Sequence, residues 1–215
     1  MLRRVAMVSA ALLCFYILPA SADSVTLNSQ NVAAFTDNGG GTLPTTEMSP
    51  YAGTFDGQAE EFFCVDYSTG ISLGESWNVN VTALTGSSDY SNTLQGNETT
   101  YLEFAWLIEQ LTDNLDAPTP NYTVAAQDEW AIWSFTGGPD PYGTNAGLIL
   151  DAQDAVAGGF TASNFLILTP TPEGSGQEFM IIGTPEPSTP MLLGCGLLAL
   201  LGAAWLRDRS NPASS

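Results

Sequence analysis

Phe62-Phe63-Cys64-Val65-Asp66-Tyr67 is an apolar run too short for a helix, and it suits a buried strand. Upstream, Val25-Thr26-Leu27 starts a strand, and a Gly/Thr/Pro loop follows from Asp37 to Pro50. Downstream, Trp77 to Leu84 alternates apolar and polar residues, as a half-exposed strand does. The period then changes. Glu98 to Leu111 places Tyr101, Leu102, Ala105, Trp106, Ile108 and Leu111 on one helical stripe, with Asn97 as its cap. After the stiff turn Ala117-Pro118-Thr119-Pro120, Tyr122 to Phe135 reads as a second helix, ended by Gly137-Gly138-Pro139-Asp140-Pro141. Ala146 to Ala157 is a shorter third helix that stops at Gly158-Gly159. Phe165 to Leu168 and Glu178 to Ile182 read as closing strands joined by a Pro/Gly/Ser turn. No internal repeat is visible. The expectation is an α+β fold with a β-rich N-terminal half, two to three helices and closing strands.

The two ends of the chain carry a different kind of information. Arg3 and Arg4 precede an apolar stretch, Val5 to Leu18, and Pro19 leads to Ala20-Ser21-Ala22. This is the layout of a signal peptide over 1–22, with Ala20 and Ala22 as the small residues read by signal peptidase. At the other end, Thr184-Pro185-Glu186-Pro187-Ser188 leads into an uncharged run from Pro190 to Leu206, and then into Arg207-Asp208-Arg209. As a helix, 190–206 spans roughly 25 Å, just short of a hydrocarbon core, and reads as a C-terminal transmembrane helix. Arg207 and Arg209 place the short tail 210–215 in the cytoplasm, so everything before Pro185 is expected outside. This order of Pro-Glu-Pro box, hydrophobic span and basic end resembles the PEP-CTERM sorting signal of exported bacterial proteins. The resemblance implies an exosortase that recognises Pro185, Glu186, Pro187, Arg207 and Arg209 in the sorting signal 184–209 and removes the tail. A tail of this kind also carries a label taken from an ice-binding protein, but no regular Thr repeat that could build a flat ice-binding face is present.

Between the two membrane-active ends lies one exported region, 23–183. At about 160 residues it is long enough for a core without disulfide staples. Its charge is one-sided. All four Lys+Arg residues are Arg3, Arg4, Arg207 and Arg209, outside the region. Of the 23 acidic residues only Glu186 and Asp208 lie outside it, which leaves 21, and the chain contains no His. Imidazole bases, Ser-His or Cys-His pairs and His-ligated metals are thereby excluded, as are Schiff-base lysines and arginine phosphate clamps. Nucleic acid is excluded as a partner, because affinity there rests on cationic contacts to phosphate. Acidic polysaccharide is repelled unless divalent cations bridge the two. Phe35 to Gly41 and Thr112 to Asp116 are the best calcium-like loops, yet neither has EF-hand spacing, and both read as solvated turns. No cofactor is expected.

A second resemblance rests on Phe62-Phe63-Cys64-Val65-Asp66, on Tyr101 and Ala105-Trp106-Leu107 in the following helix, and on Trp130-Ala131-Ile132-Trp133. In this order they resemble the thioester domains of bacterial surface adhesins, over roughly 51–135. The resemblance implies a Cys64 thiolate that attacks a Gln carboxamide in the helix, with loss of ammonia, to give a thioester able to acylate an amine on another surface. Counted back from Ala131-Ile132-Trp133, however, the Gln position holds Glu129. A carboxylate offers no ammonia to expel and repels a thiolate. Gln127 lies two residues earlier, about 200° round a helix and on nearly the opposite face. Three states of Cys64 stay open: a buried thiol, an internal thioester and an intermolecular disulfide. Trp106, Trp130 and Trp133 read as core at helical spacing rather than as sugar-stacking platforms.

Two functions follow as expectations. One is a non-enzymatic exported surface or extracellular-matrix protein, held by its membrane helix until an exosortase releases it into extracellular polysaccharide. The other is a covalent adhesin that reacts once through Cys64.

Overall fold

A computed structural model of the chain describes residues 23–28 and 35–183. The leader 1–22 with Ala20 and Ala22 lies outside the described residues. So does the tail from 184 onward, with Pro185, Glu186, Pro187, the apolar span 190–206, Arg207 and Arg209. Among the described residues no helix is long and apolar enough to cross a membrane.

Eight strands and three α-helices make up the frame of the described residues. The strands are β1 (Ser24–Leu27), β2 (Thr36–Asp37), β3 (Thr46–Glu47), β4 (Tyr51–Phe55), β5 (Gln58–Cys64), β6 (Ser76–Ala83), β7 (Phe165–Thr171) and β8 (Phe179–Ile182). The helices are α1 (Glu98–Asp116), α2 (Tyr122–Ser134) and α3 (Asn145–Ala157), all between β6 and β7. Six strands form a closed barrel in the order β1-β4-β5-β8-β7-β6, and β6 returns to β1. Strands β2 and β3 form a separate two-stranded ribbon.

The α+β expectation of a β-rich half, a helical half and added closing strands is therefore corrected to a closed antiparallel barrel with three helices inserted. The reason is hydrogen bonding. A sheet ending at β5 and β6 would expose two open edges. β7 covers β6 in register from Asn78↔Thr171 to Ala83↔Leu166, and β8 covers β5 at Phe63↔Met180 and Cys64↔Phe179. The last strands are thus the closing staves of the barrel.

The alternation in β6 is the clearest local signature. Trp77 and Val79 are buried while Ser76, Asn78 and Asn80 are exposed, which is the period of a strand with one face inward. Val25 and Leu27 do the same in β1. In contrast Phe62 to Asp66 is buried without interruption, because at this end of β5 the helices cover the outer face as well. Phe179 sits among Phe62, Tyr51 and Trp77, with ring centroids 5.8, 5.9 and 6.0 Å away. β4 escaped the sequence reading because its centre is Gly53. A Cβ there would lie 2.4 Å from the Thr26 carbonyl oxygen and 2.9 Å from the Phe62 ring, so the close approach of β1 and β4 demands glycine.

Side-chain caps start the first two helices. The Asn97 side chain accepts from the Thr100 N–H at 3.0 Å, and Asn121 accepts from Val124 at 3.3 Å. The apolar stripe of α1 buries Tyr101, Phe104, Ala105, Leu107, Ile108 and Leu111, and the three helices pack on one another. Phe104 meets Tyr101 edge-on at 5.6 Å and Phe135 at 5.0 Å. Trp106 is half-buried, and Trp130 and Trp133 are buried edge-to-face at 4.9 Å.

Candidate functional site

Cys64 is the last residue of β5, Phe179 opposite it is the first of β8, and Ser49 lies two residues before β4. Three strands therefore deliver their ends to one place, and α2 lies over it. Cys64 is fully buried and is the free cysteine among the described residues. Its backbone N–H donates to Ser49 Oγ at 2.8 Å, and its carbonyl accepts from Trp133 Nε1 at 3.1 Å. Ser49 Oγ in turn donates to Glu129 Oε1 at 2.6 Å. One hydroxyl thus joins the end of β5 to α2. The backbone of Cys64 is clamped from both sides, by a serine and by a tryptophan.

The thiol itself points to two oxygens. Cys64 Sγ lies 3.4 Å from the Asp66 carbonyl oxygen and 3.4 Å from Gln177 Oε1. Gln177 is held in turn by its amide nitrogen, which donates to the carbonyls of Asp66, at 2.9 Å, and Thr69. The carboxamide is therefore fixed with its oxygen toward the sulfur. Burial pushes the Cys64 thiol well above its ordinary pKa, and the neighbouring Glu129 carboxyl pushes it further the same way. At neutral pH the group is a protonated thiol.

Glu129 is also fully buried. Desolvation raises its pKa to about 8, against the lowering effect of the Ser49 hydrogen bond and with Asp128 adding to the rise. Its second oxygen, Oε2, has no hydrogen-bond partner. At neutral pH the carboxyl is neutral and repels nothing. Asp128 beside it is raised to about 7 by burial, only partly offset by Asn114 Nδ2 at 3.2 Å from its Oδ2. Gln127 is half-buried and makes no hydrogen bond to Cys64. The helix is regular through 122–134, which keeps Gln127 on the other face from Glu129.

Of the three residues expected around the thioester position, the fold brings Cys64 and Glu129 together through Ser49 and leaves Gln127 out. It adds two that the sequence did not point to, Ser49 and Gln177. Gln177 is 113 residues from Cys64 and sits at the end of a Pro/Gly/Ser turn, where no periodicity marks it. The only signal was its place, one residue before an apolar closing strand that had to pair with something.

A second buried carboxyl lies close by. Glu178 accepts from Thr169 Oγ1 at 2.6 Å, from the Leu94 N–H at 3.0 Å and from the Tyr101 hydroxyl. Burial raises its pKa against these bonds. It ties α1 and the loop before it to the barrel, and every oxygen is used. Asp37, in the loop with a calcium-like sequence, is likewise committed. Its carboxylate accepts from Trp130 Nε1 at 2.9 Å, the Tyr142 hydroxyl at 2.6 Å and the Gly39 N–H at 2.7 Å. Partial burial works to raise its pKa, and these bonds outweigh it and hold the group below the usual carboxylate range. Among the described residues no group of three or more His, Cys, Asp or Glu side chains is placed to hold a metal ion.

A cavity of about 320 Å³ opens over Gln177, walled by Tyr51, Tyr67, Ile71, Leu73 and Trp133. No family model, curated protein or solved structure matches this chain.

Proposed function

We infer that the chain is a non-enzymatic surface or extracellular-matrix protein, exported behind its leader and sorted by an exosortase through the Pro185-Glu186-Pro187 box. The observation that carries the reading is the order of its parts. A basic, apolar leader precedes a domain with 21 acidic residues and no basic one, and a Pro-Glu-Pro box, an uncharged span and an arginine pair follow it. The state of Cys64 agrees with a structural role for the domain. Its N–H, carbonyl and thiol are all engaged inside the core, and the acyl position of the helix holds a neutral carboxyl with no leaving group. The test is fractionation of the producing cell with intact-mass measurement of the product. Loss of the leader after Ala22 and of the tail near Pro185, dependent on a membrane protease of the exosortase class, is expected. A full-length chain retained in the cytoplasm would sink the reading.

One observation favours a second reading, the covalent adhesin. It is the Gln177 carboxamide against the thiol, at 3.4 Å from Sγ to Oε1. In that reading the sulfur adds to the Gln177 amide carbon, the C–N bond breaks, and the nitrogen leaves as ammonia with the thiol proton. An amine that later attacks the thioester returns the thiol. Intact mass separates the two readings. A product one ammonia lighter than its sequence, restored by Gln177→Ala but not by Gln127→Ala, belongs to the adhesin. A mass equal to the sequence, with one thiol titrating only after denaturation, belongs to the matrix protein.

A further inference from the structure

The cavity over Gln177 has two neighbours along the same side of the barrel. One of about 520 Å³ shares Thr69 with it, and one of about 480 Å³ shares Asn80, Asn92 and Thr171 with the second. Together they run from an aromatic end, at Tyr51, Tyr67 and Trp133, along the segment Asp66–Gly70 to the outer face of β6. Each has the size of a small-molecule site. We propose that these neighbouring cavities act together as one binding groove for an uncharged polysaccharide.

Three properties of the lining select that ligand. The groove holds carboxyl groups, Glu47, Glu173 and Asp89 among them, and no cationic side chain, so an anionic glycan, a phosphate or a nucleic acid is repelled along its whole length. Its polar side chains are chiefly amides and hydroxyls. Asn78 and Asn80, two apart on the outward face of β6, and Asn92 beside them are exposed, and each offers both donors and an acceptor. A sugar hydroxyl is also donor and acceptor, whereas an ammonium group only donates and would leave the amide donors unused. At the other end Tyr67 is 40% exposed, with its ring 5.5 Å from that of Trp133 and 5.9 Å from that of Trp130. An aromatic ring held in place and left open to solvent suits the apolar C–H face of a pyranose, whose weakly positive hydrogens meet the negative π face.

The proposal rests on the exported-protein reading only for where the glycan is met. Its test uses the full-length chain in a polyoxyethylene detergent, which brings no sugar headgroup. Affinity electrophoresis is run through gels cast with an α-glucan, a β-glucan, a galactomannan or, as the acidic comparison, alginate. Retardation is expected in at least one uncharged gel and is expected to survive EDTA. The apparent Kd is expected to rise at least tenfold in Tyr67→Ala and in the Asn80→Ala/Asn92→Ala double variant, while Leu150→Ala, on α3, binds as the parent does. Near-ultraviolet circular dichroism checks that each variant is folded. No retardation in any uncharged gel, retardation only in alginate with calcium, or unchanged binding by both groove variants would overturn the groove. A chain that is exported and trimmed yet not retarded loses the groove alone, and the exported-protein reading stands.

Discussion

Ser49 is the smallest residue at the site and the one on which its geometry turns. Its hydroxyl accepts from the Cys64 N–H and donates to Glu129 Oε1, so its removal strands two fully buried groups at once. Ser49→Ala is expected to cost about 2–6 kcal/mol, at about 1–3 kcal/mol for each of the two unsatisfied polar groups, read as a shift in denaturant midpoint without change in slope. A loss under about 1 kcal/mol would mean that water or a rearranged side chain takes over both bonds. Glu129 raises a second residue-scale question, since Oε2 is already without a partner. A neutral acid in that place is a near-isostere of glutamine. Glu129→Gln keeps the oxygen that Ser49 bonds and removes the ionisation, so it is expected to leave the fold intact at pH 5 and to stabilise it at pH 9. Thermal unfolding at the two pH values tests this, and equal effects at both would show that folding does not raise the Glu129 pKa. Neither residue's role was legible in the chain. Glu129 was visible as a departure from a pattern, and read as an anion it argued against the site. Burial removes the repulsion, because it makes the group neutral, and leaves the missing ammonia as the objection.

At the scale of elements, what could be read and what could not divide along sequence distance. The helices were legible because their evidence is local: Asn97 sits where a cap must, and the stripe of α1 repeats within one stretch of chain. β6 was legible for the same reason. β4 was not, since Tyr-Ala-Gly-Thr-Phe carries no alternation and its Gly53 answers to Thr26 on another strand. The turn between β7 and β8 hides a comparable constraint. Gly176 lies directly against Trp77, where a Cβ would stand 2.5 Å from the indole ring. Gly176→Ala must move the ring or the entry to β8, and β8 begins three residues on, just past Gln177. The substitution is expected to destabilise by about 1–3 kcal/mol. It is also expected to speed the reaction of Cys64 with a thiol reagent in the native state, because Gln177 shields the sulfur. Unchanged thiol reactivity in a destabilised variant would place the strain at Trp77 alone and remove Gln177 from the shield.

For the whole molecule, the pairing that closes the barrel joins residues too far apart for any window to reveal, which is why the strands could be found and their order could not. Folding has an electrostatic consequence. The folded domain buries carboxyl groups in a region that has no basic side chain to answer them, so folding raises their affinity for protons. Glu129 moves from 4.5 to about 8 and Asp128 from 3.8 to about 7, and burial raises Glu178 and Glu103 as well. A raised folded-state pKa gives stability that is whole below the unfolded-state value and is lost as pH climbs to the folded-state one. Between about pH 4 and pH 8 the unfolded chain therefore releases protons that the folded chain retains, and the stability falls. Repulsion among the remaining ionised acids pushes in the same direction. Only the lowered groups, chiefly Asp37, work the other way, and their contribution disappears at pH values below the ordinary carboxylate range. The unfolding temperature is expected to be highest near pH 4.5 and to fall steadily to pH 9, the reverse of a protein held by salt bridges. The slope should flatten in a Glu129→Gln, Asp128→Asn double variant, because each tenfold gain in a carboxyl's proton affinity on folding is worth about 1.4 kcal/mol. A parent protein most stable at pH 7 to 8 would mean that these carboxyls ionise in the folded state, and that water or a counter-cation reaches the end of the barrel where β5 finishes.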